Sequence, residues 1–157
     1  MSAYIRVASH SDIGRIIPLW NEFMLNHLEI TPYLLSNEKS QIAVRKDIGR
    51  RIADPNSQFF LSEFDNELAG FISCHVIAPN HIVHEKVGYI TETIVKEPFK
   101  RIGIGTRLFL TAKEWMYGRG ADIIEGRVAI KNQEAADFWY KMGFTTTFHQ
   151  LSYRREA

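Results

Sequence analysis

One cysteine, Cys74, in 157 residues excludes an internal disulfide and fits a reducing cytoplasm. It lies in the apolar run Phe71-Ile72-Ser73-Cys74-His75-Val76-Ile77, which reads as a buried structural thiol rather than a nucleophile. No hydrophobic run approaches transmembrane length, and Met1 to Val7 lacks both a long apolar core and a small-residue cleavage site, so no membrane partner is expected. Charge of one sign is also missing. A net charge of +1 supplies no global basic field for nucleic acid. Internal repeats, low-complexity tracts and Pro/Gly/Ser linkers are absent too, and with 45% hydrophobic content the chain reads as one domain over residues 1–157. His81 and His84, three apart with no clear further ligands, and His27 after the first helix do not make a metal site, so none is expected.

The runs that are present alternate in kind. Tyr4-Ile5-Arg6-Val7 has a strand's alternation. Ser11 or Asp12 can cap a helix carrying Ile13, Ile16, Ile17, Leu19, Trp20, Phe23 and Met24, with Pro18 inside it and a break at Thr31-Pro32-Tyr33. A second helix, Glu38 to Ala53, turns Ile42, Val44, Ile48 and Ile52 inward and Arg45, Lys46, Arg50 and Arg51 to water. Three strands follow: Gln58 to Glu63, Leu68 to Ile77 after a hairpin turn at Asp65-Asn66-Glu67, and Lys86 to Val95. Their short connections imply an antiparallel meander. A helix from Thr106 to Tyr117, a strand from Ile123 to Ile130, an Asn132-capped helix through Lys141 and a strand from Phe144 to Tyr153 complete the reading.

The segment Lys100-Arg101-Ile102-Gly103-Ile104-Gly105-Thr106 stands at a strand-to-helix turn. Two glycines there strip side chains from backbone that a ligand approaches closely, and the next helical turn offers unpaired N–H groups and a positive dipole end. Lys100, Arg101 and Arg107 add cations, so the expected ligand is a phosphate or pyrophosphate. A nucleoside triphosphate loop is excluded because Gly105 is followed by Thr106 and Arg107 rather than Lys-Ser/Thr. A dinucleotide fingerprint is excluded because Leu108 stands where its third glycine belongs.

Ile94-Val95 followed by Lys100-Arg101-Ile102-Gly103-Ile104-Gly105 resembles the acetyl-coenzyme A signature of the GNAT N-acetyltransferase superfamily. The run Asn132-Gln133-Glu134-Ala135-Ala136-Asp137-Phe138-Trp139-Tyr140-Lys141-Met142-Gly143-Phe144 is similar to that family's second motif. The resemblance covers nearly the entire chain. It implies a single α+β domain whose mixed, mostly antiparallel sheet of six to seven strands is flanked by about four helices. It implies acetyl-CoA as cosubstrate, with the backbone of Ile94 and Val95 pairing the pantetheine amides as a pseudo-strand. A backbone N–H at Ile94 would donate to the thioester carbonyl. Gly103, Gly105 and Thr106, with Ile102 and Ile104 between and beside them, would present the pyrophosphate turn, and Lys100 and Arg101 its charge. Lys100 departs from the family's usual Arg or Gln, and lysine keeps charge without bidentate geometry. Asn132, Ala135 and Trp139 would meet the coenzyme from the second motif.

For catalysis, Glu92 on the strand beside the cofactor backbone is the candidate base, and Tyr140 the candidate acid. Alternation groups Glu92 with Ile90 and Ile94. Trp139 occupies the family's usual tyrosine position, with Tyr140 about 100° further round the helix, and thiolate departure without a tyrosine is the preferred reading. The expected activity is acetyl transfer to the primary amine of a small molecule, with a protein amine less favoured. The rivals are a non-catalytic acyl-CoA-binding module and an enzyme for longer acyl chains. Residues 27–37, with Phe23, Tyr33, Tyr89 and the His81–Glu85 loop, are expected to shape the acceptor pocket, and the sequence leaves a homodimer open.

Overall fold

The computed structural model describes residues 3–27, 37–82 and 84–156. Tyr33 and the break around it lie outside the described residues. Two compact units divide the chain, Met1–Arg127 and Val128–Ala157. The first contains β1 (Tyr4–Val7), α1 (Ile13–His27), α2 (Glu38–Ala53), β2 (Ser57–Phe64), β3 (Glu67–Ile77), β4 (Val87–Val95), α3 (Ile104–Gly118) and β5 (Ile123–Gly126). Its strands form one sheet in the order β1-β2-β3-β4-β5, with neighbours antiparallel except the parallel β4–β5 pair. That mixed α+β sheet matches expectation in kind but has five strands among the described residues, not six to seven.

Local chemistry explains the joints. Asp65 and Asn66 both adopt positive φ, 51° and 63°, the conformation of a two-residue hairpin turn whose twist suits the flanking strands. Asn37 caps α2 by accepting from the N–H groups of Lys39 and Ser40 at 3.0 and 3.3 Å. Ser9 and Asp12 form a capping box over the 3₁₀ turn His10–Asp12 that leads into α1.

The core lies on both faces of the sheet. Phe59, Leu61, Phe71 and Ile94 pack with Ile13, Ile16, Leu19 and Phe23 of α1 and Ile48 of α2. Phe60, out of phase with Phe59 and Leu61, meets Trp115 of α3 edge-to-face at 6.4 Å, which places α3 on the opposite face. Ile42, expected inward, is 49% exposed, because it sits off the stripe formed by Val44, Ile48 and Ile52.

The second unit contains α4 (Gln133–Lys141), capped by the Asn132 side chain, which accepts from the Ala135 N–H at 3.1 Å. Gly143, at φ 102°, ends it. The expected strand from Phe144 to Tyr153 is not formed. A strand exists by pairing, and among its described residues this unit holds no strand to pair with. Phe148, Leu151 and Tyr153 remain exposed.

An ionic cluster fastens α1 to the sheet edge. Arg6 donates to Asp12 at 2.7 and 2.8 Å and to Glu63 at 2.9 Å, while Arg15 grips both Glu63 oxygens at 2.8 Å. Both carboxylates are buried. Arg6 holds Asp12 below the ordinary carboxylate range, and Arg15, then Arg6, does the same to Glu63. A carboxylate whose proton affinity is depressed by folding stabilises the fold above its unfolded pKa, near pH 4, and loses that contribution as pH falls. The melting temperature should therefore drop as pH is lowered from about 5 to 3. Glu63→Gln should cost about 2 kcal/mol at pH 7 and flatten that drop. Thermal melts of both proteins across this range check it, and an equally steep drop in Glu63→Gln would contradict it.

Candidate active site

The decisive feature of β4 is a bulge. Its register with β3 runs Ile94 to Phe71, Thr93 to Ile72 and Glu92 to Ser73, then shifts, so that Ile90 faces Cys74 and Tyr89 faces His75. Thr91 is the extra residue. Directly opposed residues share a face, so the bulge reverses the phase of β4. Glu92 and Ile94 point with Ser73 and Phe71 toward α1 and α2. Ile90 points with Cys74 the other way, as does Gly88, where an added Cβ would lie 2.7 Å from Met116 Sδ of α3. Simple alternation therefore grouped Ile90 wrongly with Glu92. Burial pushes the Cys74 thiol up to about 12.

The same bulge ends the parallel ladder. β5 accompanies β4 only from Val87 to Ile90, pairing last at Gly126, which is why the strand expected to reach Ile130 stops four residues sooner. From Thr91 to Val95 that edge of β4 carries no strand among the described residues, while the other edge stays on β3. The backbone groups of Thr93 and Val95 are thus presented at the free edge. The Ile94 carbonyl and the Lys96 N–H, which donates to Ala69 at 2.8 Å, face β3, so the Ile94 N–H expected to meet the thioester lies on the β3 side instead. Gly70 lets β3 run close on that side, since a Cβ there would come 2.4 Å from the Ile94 carbonyl oxygen.

Glu92 is buried, and its two oxygens are unequally engaged. Its Oε1 accepts from Arg51 Nη1 at 2.9 Å and from Ser73 Oγ at 2.6 Å, and its Oε2 takes only a longer contact with Arg51, 3.3 Å. Ser73 Oγ in turn accepts the Glu92 backbone N–H at 3.0 Å, closing a loop at the bulge. His75, half-buried and 5.4 Å from the Tyr89 ring, pairs its Nδ1 with Thr91 Oγ1 at 3.3 Å. Burial, then the Arg51 charge, holds its imidazole below its ordinary value and so neutral near pH 7. Burial raises the Tyr89 hydroxyl. Ser73, His75 and Arg51 escaped the sequence reading as site residues. Arg51 could have been found, because it lies three residues after buried Ile48 and shares its helical face.

Beyond β4 the chain makes a 3₁₀ turn, Glu97–Phe99, and reaches Lys100 to Thr106. Arg101 has φ 65° and Gly103, the N-cap of α3, has φ 90°. The helix thus starts at Ile104, two residues before expectation, and Gly103 brings no side chain to the N–H groups of its first turn. Ile102 and Gly103 are exposed and Ile104 is buried as the anchor beneath them. Lys100 and Arg101 both lean on exposed Glu97, at 3.1 and 3.6 Å. Pairs so exposed are screened by water and yield readily to a phosphate. Arg107 does not join them: its Nη1 donates to the Ala3 carbonyl at 2.6 Å.

In the second unit Asn132 is occupied as the α4 cap, with Ala135 as its partner. Trp139 packs edge-on against Phe138 and Phe144, at 4.8 and 5.2 Å between ring centres. Tyr140 is exposed, and its hydroxyl lies 2.7 Å from Thr146 Oγ1. Among the described residues no three His, Cys, Asp or Glu side chains are placed to hold a metal ion, and no helix is long and apolar enough to cross a membrane. An open groove of about 420 Å³ between α1 and the β2–β3 turn is lined by paired charges, including Arg15 and Lys96, and does not reach Glu92.

If the turn holds a pyrophosphate, Gly105→Val is the cleaner probe of its two glycines. Gly103 needs its positive φ, whereas Gly105 sits inside α3 with no such demand. Calorimetry with coenzyme A should show affinity weakened by tenfold or more, about 1.4 kcal/mol, in a variant that still folds. Unchanged affinity would remove the pyrophosphate from this turn.

A profile of the acetyltransferase (GNAT) family matches residues 20–144. The aminoalkylphosphonate N-acetyltransferase of Salmonella typhimurium is 31% identical over 112 residues, 71% of each chain. A predicted acetyltransferase from Clostridium acetobutylicum, solved with acetyl-CoA, superposes with a TM-score of 0.78 at 17% identity over 98% of this chain and 96% of its own. Aminoglycoside N-acetyltransferase AAC(6')-Iy, solved with CoA, gives 0.76 at 15% identity over 99% and 96%. Those two likenesses show the fold, and the family match, which spans most of the chain, places it: this protein belongs to the GNAT acetyltransferase family.

Proposed function

We propose that residues 1–157 act as one acetyl-CoA-dependent N-acetyltransferase domain in the cytoplasm, moving an acetyl group to the primary amine of a small molecule. The observation that carries this reading is the β4 edge freed at Thr91, followed directly by the uncapped first turn of α3. Pantetheine amides pair along Thr93 and Val95, and the pyrophosphate sits on the N–H groups from Gly103 to Thr106 with Lys100 and Arg101 beside it. Ile102 and Ile104 shape and anchor that turn.

The acceptor enters as an ammonium and must lose a proton before it attacks. Glu92 receives that proton at Oε2, the oxygen with spare acceptor capacity, directly or through water. The neutral amine then forms the N–C bond, and the developing oxyanion takes a backbone N–H of the freed β4 edge. When the C–S bond breaks, the leaving thiolate accepts the second amine proton. The products are amide, free thiol and one proton left on Glu92 for release to solvent. Tyr140, engaged with Thr146, is not required for this departure.

The acceptor class follows the Salmonella relative's name, so 2-aminoethylphosphonate heads the panel of test amines, with an amino sugar and a peptide N-terminus as comparators. Free-thiol release from acetyl-CoA should rise above background with at least one small amine. In the same assay Glu92→Gln should lower turnover by roughly 10²–10⁴-fold, and Tyr140→Phe should leave it nearly intact. Coenzyme binding without thiol release for any amine would make the chain a binding module. A large loss in Tyr140→Phe at unchanged coenzyme affinity would make Tyr140 the acid.

A further inference from the structure

Arg51 stands at the last turn of α2, where a cation serves the helix dipole best by facing the terminal carbonyls and water. Its neighbour Arg50 pairs with Asp47 and remains 77% exposed, but the Arg51 side chain is only 16% exposed. Arg51 turns across the sheet, with its guanidinium carbon 4.8 Å over the Phe59 ring, its Nε 3.1 Å from Asp47 and its Nη1 on Glu92. A buried ion pair is a poor source of stability, since an apolar pair of the same volume serves as well. The Ser73 loop makes a purely structural role less economical still, because it fixes both the bulge backbone and the carboxylate through one hydroxyl.

We propose that Arg51 is a positioning residue for acetyl transfer. With Ser73 it occupies Oε1 of Glu92, so that Oε2 is the oxygen offered to the acceptor amine. This rests on the proposed role of Glu92. The charged and titratable groups around the pair are Asp47 and Asp54 of the α2 end, His75 of β3 and Tyr89 of β4. Arg51, Asp54 and Glu92 all act on His75. Removing the guanidinium leaves the carboxylate held through Ser73, free to turn Oε2 away from the acceptor.

The test is kcat and KM at fixed pH, measured with acetyl-CoA and the best acceptor of the amine panel, for the wild type, Arg51→Gln, Glu92→Gln and the double variant. Arg51→Gln should lower kcat about tenfold or more with KM for acetyl-CoA unchanged. The double variant should be no worse than Glu92→Gln. A loss confined to KM for acetyl-CoA, or losses that multiply in the double variant, would overturn the proposal. If Arg51→Gln is too unstable to assay, Arg51→Lys decides: it keeps the charge but not the fixed fork. A several-fold lower kcat at unchanged acetyl-CoA KM supports positioning, and wild-type kcat refutes it. Wild-type rates in Glu92→Gln would instead remove the Glu92 reading itself, whatever Arg51 does.

Discussion

One extra residue in β4 organises the active half of this molecule. Thr91 has no counterpart on β3, and three consequences follow from that mismatch. The strand reverses its phase, so Glu92 faces α2 instead of the apolar layer under α3. The parallel partner β5 is lost after Gly126, which frees a backbone edge. Tyr89, Thr91 and Glu92 gather on one face with His75 and Ser73. A regular strand continuing the phase of Ile90 would turn Glu92 toward α3 instead. Bulges are enriched beside active sites because they re-aim side chains and end pairing, and this one does both.

Charge is distributed to match. The Arg6–Asp12–Arg15–Glu63 cluster holds α1 against β2 far from the cofactor edge, and its carboxylates are saturated by arginine. The Arg51–Glu92 pair has the same ingredients but leaves one carboxylate oxygen less occupied. At the glycine turn the cations rest on exposed Glu97, a weak partner that a phosphate can displace. Strong pairs therefore serve the scaffold and weaker ones lie where a ligand is expected.

Much of this was legible in the residues. Helix α2 has the bounds that its apolar spacing gave, Glu38–Ala53, and the Asp65-Asn66 hairpin is where turn chemistry placed it. The glycine turn announced itself through spacing and charge. The bulge did not, because register is a property of two strands and only one of them is visible in a local reading. That single gap explains why Ile90 was grouped with Glu92 and why β5 was drawn too long. Arg51 was read with Arg45, Lys46 and Arg50 as a wet face, since charge outweighed its i+3 relation to Ile48. The run Phe144 to Tyr153 has strand-like composition, but composition does not supply a partner strand.

The central claim is that the β4 edge beyond Thr91 is where acetyl-coenzyme A pairs with the protein. Backbone amide hydrogen exchange measured with and without saturating acetyl-CoA tests it directly. The account predicts that amides between Thr91 and Val95 that do not face β3, together with those of Ile104 to Thr106, gain protection while the β2–β3 ladder is unchanged. Saturated coenzyme that leaves exchange from Thr91 to Val95 as it was would contradict it.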